Sequence, residues 1–159
     1  MAFGYWRLAS IRTRPLPQSF IPPPPDAPDA PPSLVGVVDP DPAIRRRVAN
    51  LLRSIGAEVA EYATAAEFLQ MLPAGVPVFL IVATQLSDLS GLALLQELRA
   101  RGLDTPVILI SHEPDIFGAV TAIRAGALDF IEPFDLERTL PNQVAPFLHR
   151  NQRRPTHRA

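Results

Sequence analysis

From Leu34 to about Leu148, short bursts of apolar residues alternate with stretches in which apolar positions recur at helical spacing. Leu34-Val35-Gly36-Val37-Val38-Asp39 reads as a short buried strand ending in an acid. Ile44, Val48, Leu51, Leu52 and Ile55 then recur along one helical stripe, with Arg45, Arg46, Arg47 and Arg53 mostly off it. Asp41 is placed to cap this helix and Pro42 to occupy its first position, while Gly56 ends it. Glu58 to Tyr62 alternates like a strand, and Thr64 with Glu67 forms a capping-box pair before Phe68, Leu69 and Leu72. The run from Val76 to Ala83 is β-branched, aromatic and continuous, which predicts a strand buried on both faces of a parallel sheet. Gly91 to Arg101 carries Leu92, Leu94, Leu95 and Leu98 on one helical side, and Gly102 caps it. A second double-buried strand follows at Pro106 to Ser111, then a helix through Val120, Ile123 and Arg124 to Gly126. Leu128 to Ile131 is a short strand, and a last helix starts near Asp135 or Thr139 and runs toward His149. Pro141 and Pro146 fall inside it, at about 3 kcal/mol or more each, so a kinked, late-starting or partly frayed helix is expected.

Strand and helix alternate five times with short connections. That order implies an α/β fold, a parallel sheet with helices on both faces and right-handed crossovers. The flavodoxin-like (βα)5 arrangement, a three-layer sandwich with strand order 2-1-3-4-5, puts the first and third strands side by side at the switch point. Asp39 ends the first and Ala83 the third, so a site is expected among Asp39, Asp41, Ala83, Ser111 and the strand and turn from Leu128 to Phe134.

Composition divides the chain. Residues 1–33 are expected as a disordered N-terminal segment and Pro-rich linker. Met1 to Phe20 has three Arg, no acid and scattered aromatics, without the continuous apolar core of a signal peptide. An organellar transit peptide is the alternative reading, which Pro15 and Pro17 disfavour by interrupting any helix. Ile21 to Ser33 has the composition of polyproline II. Residues 34–148 form the domain, with 14 acids and 8 Arg for a net charge of −6. Residues 149–159 hold four Arg and no acid, and are expected as a basic disordered tail. All 15 basic residues are Arg. The absence of Cys excludes disulfides and thiolate metal sites. The three His are scattered, and the longest apolar run, about eight residues, is far below the ~20 that span a bilayer. A cytoplasmic protein is the expectation.

Four segments carry a family likeness: Val37-Val38-Asp39-x-Asp41-x-x-x-Arg45, Leu89-Ser90-Gly91-Leu92, Pro106-Val107-Ile108-x-Ile110-Ser111, and Ala125-Gly126-Ala127-x-Asp129-Phe130-Ile131-x-Pro133-Phe134. In order and spacing they resemble the receiver domain of two-component response regulators, most closely those of the nitrogen-fixation type. The resemblance implies phosphoryl transfer from a histidine kinase onto an Asp at the end of the third strand, with Mg²⁺ held by that Asp and an acidic pair, and a Lys that neutralises charge. This chain departs at each point. The acceptor position, eight residues before Gly91, is Ala83; the second acid of the pair is replaced by Pro40; and the residue before the matching Pro133 is Glu132 in a chain without Lys. Asp39 and Asp41 are the acidic remnant, and a metal could use Asp39 at most, so no cofactor is expected. Ser111 and Phe130 match the family's switch hydroxyl and switch aromatic.

The expected function is therefore a stand-alone receiver-like signalling module of a phosphorelay, not an enzyme, unphosphorylated and acting by protein–protein contact. Its partners would be signalling proteins such as a histidine kinase or another response regulator, with a homodimer also open. The family's partner surface would involve Ala119, Ile123, Arg124 and Asp129. Two alternatives stand beside this: a receiver phosphorylated on a displaced Asp, with Asp88 the candidate, or a flavodoxin-like module that senses a small ligand. The tail's net charge of +4 allows non-specific phosphate contact. With no room for a helix-turn-helix after residue 148, nucleic acid is not an expected partner, and neither is a membrane.

Overall fold

The computed structural model describes residues 33–113 and 115–153, with side chains through residue 148. The N-terminal segment up to residue 32 and the end of the basic tail, from residue 154, lie outside the described residues. Five strands alternate with five helices: β1 (Leu34–Val38), α1 (Pro42–Ser54), β2 (Glu58–Tyr62), α2 (Ala65–Met71), β3 (Phe79–Ala83), α3 (Gly91–Ala100), β4 (Val107–Ile110), α4 (Ile116–Arg124), β5 (Asp129–Ile131) and α5 (Leu136–Arg153). The sheet is parallel in the order β2-β1-β3-β4-β5, as the alternation predicts. Val38 sits opposite Val82, and Ala83 opposite Ile110, so the carboxyl ends of β1, β3 and β4 share one edge.

The sheet's two faces build two cores. Val35, Val37, Ile81, Ile108 and Ile110 pack on one side with Leu52 of α1 and Leu136, Leu140 and Val144 of α5. Leu80, Val82, Val107 and Leu109 pack on the other with Phe68 of α2, Leu94, Leu95 and Leu98 of α3, and Ala122 of α4. Neighbours in a strand point to opposite faces, so a continuous apolar run is what a strand needs when both faces are covered.

Two boundaries differ from expectation. β3 begins at Phe79, after the turn through Pro77. α5 begins at Leu136, straight after a 3-10 turn at Pro133–Asp135, at the earlier of its two expected starts, and its backbone continues past the expected end near His149 to Arg153. Both prolines lie inside the helix. Each removes one hydrogen bond, at about 3 kcal/mol. Leu136, Leu140, Val144 and Leu148 are all buried at four-residue spacing, which contributes roughly 1.5–3 kcal/mol apiece and holds the helix down from Leu136 to Leu148. Arg47 of α1 adds a clamp, donating through Nε (2.7 Å) and Nη2 (2.6 Å) to the Glu137 carboxylate and through Nη2 to the Pro133 carbonyl (2.8 Å).

Candidate functional site

The pocket at the carboxyl edge lies where the strand order predicts it. It holds about 220 Å³ and is lined by Asp39, Pro40, Asp41, Ala83, Thr84, Gln85, Ser111, His112 and Glu113. Asp39, Asp41, Ala83 and Ser111 lie together in its wall, and the β5 strand and turn do not line it. Thr84, Gln85, His112 and Glu113 were not singled out by sequence reasoning. Their signal was position alone, since each directly follows a strand ending at this edge.

Asp39 is 2 % exposed. Its Oδ1 accepts from the Asp41 amide (2.8 Å), and its main-chain carbonyl accepts from Arg45 Nη1 (2.6 Å). Oδ2 has no hydrogen-bond partner among the described residues and is sealed from water. Burial pushes this carboxyl above its ordinary value of 3.8, against the opposing pull of the Asp41 amide and the His112 side chain. Asp41 does what its position predicts: its Oδ1 accepts from the Ala43 amide (2.9 Å) and caps α1.

Ala83 presents a methyl group to the pocket at the end of β3. The loop after it folds straight back. The Gly91 amide donates to the Thr84 carbonyl (2.8 Å), and a Cβ at Gly91 would stand 2.2 Å from the Ala83 carbonyl oxygen. Only glycine permits that approach. Asp88, in the same loop, points its carboxylate elsewhere. It accepts from the amides of Ala66 (2.9 Å), Ala65 (3.2 Å) and Leu89 (3.1 Å), so it ties the loop to the start of α2. The Ala66 amide is the main cause holding this carboxyl below its ordinary value. The Ser111 hydroxyl is similarly occupied, donating to the Glu113 carbonyl (2.9 Å) and accepting from the Glu113 amide (3.2 Å). Phe130 is partly buried against the core of α2, α3 and α4.

The donor set does not suit a divalent cation. Mg²⁺ takes near-octahedral oxygen coordination from carboxylates and waters. Here one Asp39 oxygen is engaged and the other is sealed, Asp41 is a helix cap, and position 83 has no oxygen on its side chain. Among the described residues, no group of three or more His, Asp and Glu could hold a metal.

The remaining predicted surface lies on the far side of β4. Ala119 is half-buried, and Ile123 and Arg124 are exposed. Asp129 turns inward: its Oδ1 accepts from the Phe130 amide (2.7 Å) and its Oδ2 from Gln143 Nε2 in α5.

The five-stranded parallel sheet in the order β2-β1-β3-β4-β5 frames the likeness to known proteins. The family model for the response regulator receiver domain matches residues 35–141. The chain belongs to that family. The receiver is 43 % identical over 105 residues to the transcriptional regulatory protein FixJ of Azorhizobium caulinodans, covering 64 % of this chain and 48 % of that protein. It is 35 % identical over 127 residues to Nodulation protein W of Bradyrhizobium diazoefficiens, covering 79 % of this chain and 56 % of the relative. A putative response regulator from Chloroflexus aurantiacus superposes with a TM-score of 0.67 at 25 % identity, over 75 % of this chain and 99 % of that one. The receiver spans about half the length of the curated relatives it matches. Residues 35–141 form a two-component signalling module, from a family whose members interact with histidine kinases and other regulators. No helix among its described residues is long and apolar enough to cross a membrane.

Proposed function

We propose that this receiver is not phosphorylated and signals from the cytoplasm by protein–protein contact alone, through the side of the molecule formed by α4, β5 and α5. The observation that carries the reading is Ala83 at the carboxyl end of β3, in the wall of the pocket. A carboxylate nucleophile is needed to form an acyl phosphate, and the Ala83 side chain is a methyl group. Asp39 is sealed and raised in pKa, and Asp41 and Asp88 spend their carboxylates on helix starts. Ser111, tied to Glu113, and Phe130, packed against the core, act in this reading as fixed parts of the fold and not as a switch. The contact side includes Ala119, Ile123 and Arg124, and a histidine kinase, another response regulator or a second copy is the partner class. A small-ligand sensor is not favoured, because about 220 Å³ falls below the ~300–1,000 Å³ of typical ligand pockets.

The test is incubation of the full chain with Mg²⁺ and acetyl phosphate, followed by intact mass, and in parallel with Mg²⁺ and beryllofluoride, followed by amide NMR. The expected result is no added phosphoryl mass and no shift at Asp39, Ala83 or Thr84. A stable phosphoryl adduct on Asp39, Asp41 or Asp88 would overturn the proposal.

A further inference from the structure

The side of the molecule around α4 leaves much apolar surface in water. Ile116 is 82 % exposed, Phe117 75 % and Phe134 85 %, and Val120, Ile123 and Leu128 are also exposed. Ile116, Val120 and Ile123 recur at spacings of four and three, so they lie along one face of α4. In α4 only Ala122 is fully buried. An apolar face on this scale marks a docking surface.

We infer that residues 1–20 of the same chain dock on this face and cover it. Three observations select that occupant. The first is chemistry. Met1 to Phe20 contains Phe3, Tyr5, Trp6 and Phe20, together with Arg7, Arg12 and Arg14 and no acid. Around the apolar face, residues 113–135 hold five acids, Glu113, Asp115, Asp129, Glu132 and Asp135, against three cations, Arg124, the Arg138 that pairs with Asp135 and the Arg99 that donates to the Gly126 carbonyl. An aromatic, basic segment therefore meets an apolar surface with an acidic surround, and the charges steer it there. The second is reach. The described chain starts at Ser33, beside the first residue of β1, and β1 lies three strand positions from β5. That separation is about 14 Å across the sheet. Residues 21–32 are mostly Pro, Asp and Ala, and a polyproline-II stretch of twelve residues extends about 37 Å. Twelve residues at that rise are long enough to cross the sheet and the thickness of a helix. The third is that Met1 to Phe20 carries apolar side chains at half of its positions but is too short to bury them in a core of its own, and the exposed face of the domain can bury them. Docked there, the segment occupies the surface assigned above to partners, and a partner must displace it. The inference rests on that assignment only for its consequence; the docking itself stands or falls separately.

Trp6 is the chain's single tryptophan, which makes the test direct. Its emission and its quenching by acrylamide are read in the full chain, in a free peptide of residues 1–20, and in full-chain variants Ile123→Glu and Met71→Glu. Both substituted side chains are already exposed, so the fold tolerates the change. The expected result is a blue-shifted, protected Trp6 in the parent chain and in Met71→Glu. In Ile123→Glu, and in a chain with Arg7, Arg12 and Arg14 all changed to Gln, emission moves red and quenching rises toward the peptide's. The protection is independent of protein concentration, as docking in cis requires. Trp6 as quenchable in the parent as in the peptide overturns the inference. So does protection unchanged by Ile123→Glu, or protection that appears only as concentration rises, which would place the segment on a second copy. None of these outcomes bears on phosphorylation, which the acetyl phosphate experiment reads independently.

Discussion

At the scale of single residues, Asp39 carries the clearest measurable consequence. Its carboxyl is raised above 3.8 by burial, so it contributes full stability below that pH and loses it as pH rises through the folded-state value. Asp88 is lowered from the same 3.8 by amides at the start of α2, so its contribution is present above 3.8 and is lost as pH falls through its folded-state value. Two legs of the stability–pH curve therefore run in opposite directions from one reference point. Asp39→Asn is expected to raise stability at neutral pH by about 1 kcal/mol, because it removes a sealed charge with an unpartnered oxygen. Urea midpoints measured from pH 3 to pH 7 check it: the gain grows with rising pH, and a gain that shrinks instead would reverse the assignment. Gly91→Ala acts by sterics. Its new Cβ would meet backbone, which cannot rotate away as a side chain can, so a loss of about 1–3 kcal/mol is expected in the same assay. The Asp41 cap and the place of Ala83 at the site's edge could both be read from sequence, because each depends on its immediate neighbours. The seating of His112 and Glu113 could not. It depends on the hydroxyl of Ser111 folding the loop onto itself, and a serine that ends a strand gives no local sign of doing so.

At the scale of elements, the alternating pattern located all five strands and all five helices, because a run buried on both faces and an amphipathic stripe are strong periodic signals. Of the two starts expected for α5, near Asp135 or near Thr139, the earlier is the observed one, because the packing of its buried face opposes the prolines. Replacing Pro141 by Ala should restore a bond to the Glu137 carbonyl and raise the unfolding midpoint, by up to about 3 kcal/mol. Thr64→Ala should lower stability by about 1 kcal/mol, since the Thr64 hydroxyl accepts from the Glu67 amide (3.0 Å) at the start of α2. Circular dichroism during thermal melts reads both. Periodicity also marked Val120 and Ile123 as apolar positions of α4 without showing that no described element covers them. A helical stripe tells which residues share a face and is silent on what lies opposite.

At the scale of the whole molecule, the fold is held by two cores and by few long-range polar ties, of which Arg47 to Glu137 and Pro133 joins α1 to the start of α5. Both partners are substantially exposed, so Arg47→Ala should cost no more than about 1 kcal/mol, and less in high salt. Melts at low and high ionic strength check this; a loss that does not depend on salt would point to packing by the Arg47 stem instead.

The close contact between Gly91 and the Ala83 carbonyl has a consequence for mutational history. The turn depends on backbone geometry and on the missing Gly91 side chain, so it is indifferent to what position 83 carries. Any alanine codon becomes an acidic one by a change at the second base alone, aspartate or glutamate according to the third, so a carboxylate at 83 is a single base change away. Proline and aspartate codons differ at two bases, so Pro40 is the slower position to reverse. A carboxylate at 83 would stand beside the buried Asp39 carboxylate, whose charge it would repel, and metal-assisted chemistry would need changes at positions 40 and 132 as well.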